Sequence, residues 1–255
     1  MKRSDLDATA ATAKGDRVIV AVVLTTLALS VIIALRYLLI AGAAYWLFWR
    51  AKRPWSNQLN RQPPRKETVR HEVVASLIAT PIYALPAAAA LEGWKHGFTK
   101  LYVDPAAYGW WWLPVSAIIY LVAHDTFYYW LHRGLHHPAV FGWAHRGHHV
   151  SRDPSPFASF SFDPAEAALT AWFLPFLTLF IPIQMGVALG LLMLMTLTAV
   201  MNHSGREVWP SAWLEHAAGR QLITATHHDG HHKHLRQNYG LYFRFWDRLC
   251  RTDRS

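Results

Sequence analysis

Regularly spaced histidines are the feature that most constrains this chain. Seven of its sixteen histidines lie in residues 124–149, and seven more lie in residues 203–234. An H-x-x-x-H pair precedes two H-x-x-H-H motifs, and these three boxes consist of His132, His136, His145, His148, His149, His228, His231 and His232. Residues at positions i, i+3 and i+4 share one face of a helix, so each box can direct two or three imidazoles toward a common point. The fold must then bring the boxes together.

The boxes predict a metal site. Imidazole is the usual protein ligand for zinc, copper, iron and nickel. A lone histidine is more often a satisfied core or surface residue, but three spaced boxes in one chain favour metal binding. One metal takes about four to six ligands, so eight or more convergent histidines predict two metals. A closed zinc site needs only four ligands and offers no redox change, so a set this large beside apolar helices favours iron.

The composition indicates a membrane protein. Hydrophobic residues make up 53% of the 255 residues, and charged residues make up 16%, which is below the soluble average of about 25%. Thirteen Trp and ten Tyr fit aromatic belts at the two membrane interfaces. Much of the +9 net charge lies in short loops beside apolar runs, which favours contact with anionic lipid and argues against a nucleic-acid partner. The single cysteine, Cys250, excludes an intrachain disulfide and leaves thiolate out of the metal site.

The first half of the chain predicts membrane helices. We expect a polar, loose N-terminal tail over residues 1–17, followed by membrane helices over residues 18–123 that enclose a basic loop at residues 50–72. Between residues 50 and 70, seven basic residues stand against one acid, Glu67. By the positive-inside rule this loop is cytoplasmic and the N-terminus lies outside. The last run, residues 108–130, then carries the chain back to the cytoplasm, where the first box begins.

The second half predicts a catalytic domain over residues 124–255. Its apolar region, residues 165–201, is too long for one span at about 1.5 Å per residue. Pro182 and Gly186 divide it into two arms, a hairpin that either crosses the membrane twice or is re-entrant. Because the second box and His203 must lie on one side to share a site, the hairpin must return the chain to that side. The predicted fold class is an all-α integral membrane protein with four to five transmembrane or re-entrant helices and a cytoplasmic, histidine-rich helical cap.

The helix that carries the first box also raises two further assignments, the choice between His136 and His137 as a ligand and the role of Asp125. Asp125, Tyr129, His132 and His136 form one helical stripe. Pro138 disfavours helix at the preceding residue, so we assign the ligand role to His136 rather than to His137. Asp125 is either an acceptor for a ligand's other ring nitrogen or a simple helix-end residue.

The boxes and their surroundings resemble the fatty acid hydroxylase / sterol desaturase superfamily of integral-membrane di-iron oxygenases. The resemblance runs from His124 to Leu249, and the matching segments are YYWLHRGLHH, AHRGHH, PFASFSFDPAE, NHSG, HHDGHH and NYGLYFRFWDRL. Two departures are visible. The family often has His-Pro where this chain has Asp163-Pro164, and Phe-Gly where it has Cys250-Arg251.

The resemblance implies an iron site and a lipid reaction. It implies two non-haem irons, O2 as co-substrate, and the eight histidines of the three boxes as ligands, with His203 as a ninth and His227 as a possible tenth. The implied reaction is hydroxylation of an unactivated C–H bond of a sterol, fatty acyl chain or related lipid. A desaturase would use the same site. We expect the protein to be an integral protein of the bacterial inner membrane, with its active site facing the cytoplasm.

The sequence also bears on the electron donor and on alternative functions. No haem-binding domain is fused to the boxes, so we expect a separate donor of the ferredoxin or cytochrome type. A zinc metalloprotease is disfavoured because the chain contains no H-E-x-x-H motif. A non-enzymatic metal-binding or metal-transport protein remains a further alternative. A transporter would place its ligands inside the spans, whereas these boxes lie at helix ends and beyond them.

Overall fold

The structure, a computed structural model, describes residues 3–51, 57–60 and 62–254, with side chains from residue 15 onward within these ranges. The α-helices are α1 Arg3–Tyr45, α2 Lys66–Lys95, α3 Trp112–Leu135, α4 Pro138–Ala144, α5 Pro164–Ala171, α6 Phe173–Leu177, α7 Met185–Asn202, α8 Ser211–Glu215, α9 Ala225–His234 and α10 Phe245–Leu249. Two short strands, β1 Leu101–Tyr102 and β2 Ile183–Gln184, pair in parallel. The predicted fold class, an all-α membrane protein, is confirmed.

The first helix differs from the prediction at its start. Helix α1 begins at Arg3, so most of the predicted loose tail is helical, and it continues beyond Tyr45 through a π-helical turn to Arg50. Lys52, Arg53 and Arg61 of the predicted basic loop lie outside the described residues. The long apolar run favours helix because it contains no proline, and the helix extends in both directions from that run.

Helix α1 buries one stripe and exposes the rest. Tyr37, Ala41, Ala44 and Phe48 recur at helical spacing and are buried against α2, α7 and residues 156–160. Leu39, on another face, is 71% exposed, which is the pattern of a helix whose remaining surface faces lipid.

Three helical segments in the described part of the chain are long and apolar enough to cross a membrane: Gly15–Arg50, Lys66–Lys95 and Met185–Asn202. Helix α2 runs continuously through Pro81 and Pro86. Helix α3 has 24 residues but is not among the three, because histidine, aspartate and tyrosine side chains lower the hydropathy of its second half. That polar half carries the first box.

The hairpin over residues 164–202 begins and ends at the same end of the helices, the end at which the histidine boxes lie. Its outgoing arm is the broken pair α5 and α6, and its returning arm is the continuous helix α7. At the turn, Ile183 pairs with Leu101 of the α2–α3 connection. Tyr120 of α3 donates from its hydroxyl to the carbonyl of Ile181 at 2.8 Å. The turn is therefore held at the end of the helices opposite the histidine boxes.

At the histidine end, the chain after α1 packs against the chain after α7. Trp49 donates from its indole nitrogen to the carbonyl of Ser204 at 3.0 Å, and Leu59 donates from its backbone to the carbonyl of Gly205 at 3.1 Å. Gly205 has a φ of 69°, and a Cβ there would lie 2.7 Å from the Trp49 ring. Only glycine fits this turn, which follows His203 directly.

Candidate metal centre

The histidines converge where several helices end. His132 lies in the last turn of α3, and His136 follows that helix directly. The second box begins at the end of α4 and continues into a short 3₁₀ turn at His148–Val150. His203 follows α7, and the third box lies within α9. A side chain at the end of a helix can point past that end, so the histidines at these positions can point into one shared space.

Nine histidines form two groups. In each group one ring nitrogen per residue lies within 4.8 Å of the others. The five-histidine group consists of His132, His136, His145, His149 and His231, and the four-histidine group consists of His148, His203, His228 and His232. The structure thus brings together nine of the ten histidines named as ligands from the sequence.

The H-x-x-H-H boxes divide between the groups. His145 and His149 join one group while His148 joins the other. In α9, His228 and His232 share the four-histidine group and His231 turns to the other. The i and i+4 members therefore stay together, and the intermediate residue serves the neighbouring group. Two imidazoles of each box share one group, as the spacing predicts, and the third imidazole of each H-x-x-H-H box joins the other group. The second box also lies in a turn and a 3₁₀ segment, not in an α-helix.

Backbone carbonyls fix the orientation of five rings. In each case the Nδ1–H donates to a carbonyl oxygen, which leaves Nε2 unprotonated and directed at the group. The pairs are His132 with Tyr239 at 2.9 Å, His148 with Ser161 at 3.1 Å, His203 with Ala199 at 2.7 Å, His231 with Gln237 at 2.6 Å, and His232 with Ser151 at 3.0 Å.

A buried carboxylate orients a sixth ring. Glu166 Oε2 accepts from His145 Nδ1 at 2.7 Å, and both side chains are fully buried. Glu166 is not among the site residues predicted from the sequence. The available signal was an acid placed in the apolar segment PFASFSFDPAE, where a buried carboxylate needs a partner.

The inward-facing nitrogens fit a metal. His132 Nε2 lies 3.1 Å from His145 Nε2, and His203 Nε2 lies 3.4 Å from His232 Nε2. Since each of these rings donates from Nδ1, neither Nε2 of a pair carries a proton for the other. A cation between the lone pairs resolves this contact. The donors are all nitrogen, which suits iron, zinc, copper or nickel and not the oxygen-preferring magnesium or calcium.

Burial keeps the ligands neutral. It lowers the pKa of His148 to about 4 and that of His203 to about 3. Burial, followed by repulsion from neighbouring imidazoles, lowers the pKa of His228, His231 and His232 well below the ordinary value. At neutral pH these rings are uncharged, the form in which imidazole binds a metal.

The C-terminal tail supports the first box. Asp247, fully buried, accepts from the backbone nitrogens of Tyr239 at 2.9 Å and Gly240 at 2.8 Å. A Cβ at Gly240 would lie 2.7 Å from the Phe243 carbonyl, so the close turn requires glycine. These contacts hold the Tyr239 carbonyl against His132. The NYG and WD motifs of the tail are thereby part of the site's support.

The structure places two of the predicted site residues elsewhere. Asp125 Oδ1 accepts from the backbone nitrogens of Tyr242 and Phe243 at 2.8 and 3.1 Å. This corrects the role suggested for Asp125, because its carboxylate anchors the tail to α3 instead of orienting a ligand ring. His227 lies outside both groups, and its Nδ1 accepts from Thr224 in a capping box at the start of α9.

The chain is similar to known membrane oxidoreductases. The sequence profile described as Fatty acid hydroxylase matches residues 117–252. Lathosterol oxidase of Mus musculus is 32% identical over 186 residues, covering 72% of this chain and 60% of the relative, and that of Homo sapiens is 33% identical with the same coverage. The Delta(7)-sterol 5(6)-desaturase ERG3B of Gibberella zeae is 29% identical over 190 residues, covering 74% and 57%. No solved structure matches the chain.

The chain spans about 60% of the length of these curated relatives. Those named above come from mammals and a fungus, so the expected bacterial inner membrane receives no support from them.

Proposed function

Because the chain belongs to the fatty acid hydroxylase family, we propose that it is a membrane-bound oxidoreductase that uses O2 to oxidise an unactivated C–H bond of a lipid. The observation that carries the proposal is the pair of buried, all-histidine groups at the ends of apolar helices. Two non-haem irons held by these groups would supply the activation of O2 and the one-electron steps that C–H oxidation needs.

The protein's own residues would bind, orient and shield that centre. The nine ligands would be the members of the five-histidine and four-histidine groups, each presenting one ring nitrogen. Carbonyl groups and Glu166 keep the rings fixed before any metal binds, which lowers the cost of binding. Phe162 stacks on His148 with 5.3 Å between ring centroids, and Tyr83 of α2 packs against Phe162. These aromatic rings would exclude water and offer an apolar surface to a lipid.

The position of the groups suits a lipid substrate. Both lie where α3 and α7 end, and α7 is apolar enough to cross a membrane. A lipid lying parallel to these helices would reach the groups without leaving an apolar environment. The relatives act, by their names, on sterols, so a sterol-like lipid is the first substrate class to test.

Hydroxylation and desaturation are the two candidate outcomes. The family resemblance implies hydroxylation, whereas the name of one relative, a Delta(7)-sterol 5(6)-desaturase, favours desaturation. Both begin with removal of one hydrogen. Desaturation requires a second hydrogen to be presented before oxygen is inserted, and this depends on small differences in how the lipid is held.

Isotopically labelled oxygen gas tests the proposal and separates the outcomes. The purified protein is incubated with iron, a membrane sterol extract, a chemical reductant and labelled O2, beside the His148→Ala variant. Label in a lipid product supports hydroxylation, and an unlabelled alkene supports desaturation. The variant should give neither product. Equal products from wild type and variant, or none from a metal-loaded wild type, would contradict the proposed function.

The proposed topology places the histidine groups in the cytoplasm. The described part of the basic loop bonds to the backbone of Gly205 and Glu207, which follow His203, so the loop and His203 lie on the same side of the membrane. In a Cys250→Ser background, we expect an impermeant thiol reagent applied from outside to label a cysteine at Ala106, in the α2–α3 connection, and not one at Asn57. Outside labelling at Asn57 would reverse the assignment.

A further inference from the structure

Helix α2 buries a carboxyl group beside the segment that follows the second box. The nine histidines of the two groups lie outside this helix. Glu72, in the second turn of α2, is nevertheless fully buried. A buried carboxyl group is costly unless its oxygens are hydrogen-bonded, so its partners indicate what it does there.

Both oxygens of Glu72 bond to one residue, Ser155. Oε1 accepts from the backbone nitrogen of Ser155 at 3.2 Å, and Oε2 accepts from its hydroxyl. Ser155 stands between Pro154 and Pro156. Each proline fixes its own φ and restricts the backbone of the residue before it. The carboxyl group therefore holds a stiff part of the chain at a single point.

The segment held at Ser155 carries two of the carbonyl groups that orient ligand rings. Ser151, four residues earlier, accepts from His232 Nδ1 at 3.0 Å. Ser161, six residues later, accepts from His148 Nδ1 at 3.1 Å. Both rings belong to the four-histidine group. One short segment thus orients two of the four ligands of this group.

The five-histidine group takes its support from other parts of the chain. The partners described above for its rings are the carbonyls of Tyr239 and Gln237 and the carboxyl group of Glu166. None of them lies between residues 151 and 161. A change at Ser155 is therefore expected to reach one group and not the other.

Local hydrogen bonds carry the position of Ser155 to Ser161. The hydroxyl of Ser155 caps the 3₁₀ segment Pro156–Phe160. Its carbonyl accepts from the backbone of Ala158 at 2.8 Å, and the carbonyl of Ala158 accepts from the backbone of Ser161 at 3.0 Å. The backbone is thus tied, turn by turn, from the partner of the buried carboxyl group to the carbonyl that faces His148.

We propose that Glu72 is a positioning residue of the four-histidine group. Its carboxyl group fixes Ser155. Ser155 in turn fixes the two carbonyl groups that direct His148 and His232 toward one metal. The inference rests on the proposed function, because it takes this group to be a metal site. Each histidine group then has a buried carboxyl support, which acts directly on a ring in one group and through the backbone in the other.

Zinc binding to the full-length protein in detergent tests the inference. Bound metal is removed, and zinc is returned in competition with a chromophoric chelator, which gives the affinity of each site. Glu72→Ala should weaken one of two zincs by about tenfold, the lower end of the range for partners that support a metal ligand, and leave the other unchanged. Glu72→Gln should weaken the same zinc less, because its amide oxygen can still accept from Ser155.

The matched control is Glu92→Ala, in the same helix. Glu92 is 4% exposed and accepts from Thr25 Oγ1 at 2.5 Å and from Lys95 at 2.8 Å. It lies at the end of α2 away from the histidine boxes. This variant also removes a buried carboxyl group with two partners, so it reports a loss of stability without a loss of positioning. Both of its zincs should bind as in wild type.

A double variant identifies the metal that Glu72 supports. Since Glu166 bonds to a ring of the five-histidine group, Glu72→Ala combined with Glu166→Gln should weaken both zincs, each as much as in its single variant. The inference is overturned if Glu72→Ala binds both zincs as tightly as Glu92→Ala, or weakens both equally. It is also overturned if the double variant keeps one zinc at wild-type affinity, or if wild type binds fewer than two.

A separate assay keeps the proposed function distinct. Iron-loaded wild type is tested for lipid oxidation with a chemical reductant and O2. Absence of product there rejects the proposed function, while the zinc affinities still decide whether Glu72 positions the four-histidine group.

Discussion

The two histidine groups use the same ligand type in different surroundings. Every ring of the four-histidine group is buried, and at least three of the four are held by backbone carbonyls. The five-histidine group has one more ligand, includes the half-buried His136, and is supported by the carboxylate of Glu166. The four-histidine group is thus built from the minimum number of ligands in a closed site. Its neighbour has a spare ligand, a more open side and a buried carboxyl group, that of Glu166, at one ligand ring.

This difference implies that the two groups tolerate the loss of one histidine ligand unequally. A four-ligand site loses an essential bond when one ring is removed, whereas a five-ligand site keeps a complete set of four. Hydrogen bonding to a carboxylate also raises the basicity of a ligand, which strengthens the five-histidine group. The neighbours His148 and His149 belong to different groups, so the chain offers a test at adjacent positions.

The largest expected effect comes from comparing His148→Ala with His149→Ala. We expect His148→Ala to hold about one metal per chain and to lose lipid oxidation, because its group keeps only three ligands. His149→Ala should retain about two metals per chain, although turnover falls. Metal analysis of the purified proteins gives the stoichiometry.

The control is His137→Ala, since His137 is exposed and only caps the start of α4. It should keep both metals. His71 is a poor control because its Nε2 lies 3.4 Å from the carbonyl of Gly147, in the second box. Equal metal loss in His148→Ala and His149→Ala would remove the proposed distinction between the groups.

The sequence predicted the convergence of the histidines but not their division. Helical spacing grouped His132 with His136, which the structure places in one group, and Pro138 pointed away from His137, which the structure leaves exposed. The division could not be read from the boxes, because His148 lies in a 3₁₀ turn whose direction depends on the carbonyl of Ser161. Spacing describes a helix face only where a helix forms.

Support residues were harder to predict for a similar reason. Glu166 and His145 meet through tertiary packing across 21 residues. Asp125 lies on the same helical stripe as His132, yet its partners are backbone groups 117 and 118 residues away. Nothing local distinguishes an acid that orients a ligand from one that anchors a tail. The membrane helices were easier, because long apolar runs form helices whatever they pack against.

Removal of the metals from both groups should lower the stability of the folded protein. Without a cation the facing Nε2 lone pairs are buried without a partner, which destabilises the folded state. We expect chelation to lower the thermal unfolding temperature in detergent, and zinc to restore that temperature without restoring lipid oxidation. A protein whose unfolding temperature is unchanged by chelation would contradict the assignment of nine ligands.

Loss of the carboxylate tests what distinguishes the five-histidine group. Glu166→Gln keeps the size of the side chain and replaces its carboxyl group with an amide. Loss of such a partner typically lowers metal affinity by about 10- to 100-fold. We expect this loss for one of two metals, measured by competition with a chelator. Asp163→Asn is the matched control, because Asp163 contacts no ligand ring and the amide oxygen of asparagine can still accept from the backbone of Gly147. Loss of both metals in Glu166→Gln would show that the groups are not independent.

The smallest expected effect concerns His227, which precedes the four-histidine ligand His228 but lies outside both groups. Its Nδ1 caps α9 together with Thr224. His227→Ala should therefore cost about 1 kcal/mol of stability, the usual value of a cap, and leave two metals bound. His227→Gln should recover most of that stability, because Thr-x-x-Gln is itself a capping box. A metal ligand would behave differently, since both variants would then lose metal equally. Chemical unfolding and metal analysis of the pair decide whether the boundary of the four-histidine group falls between His227 and His228.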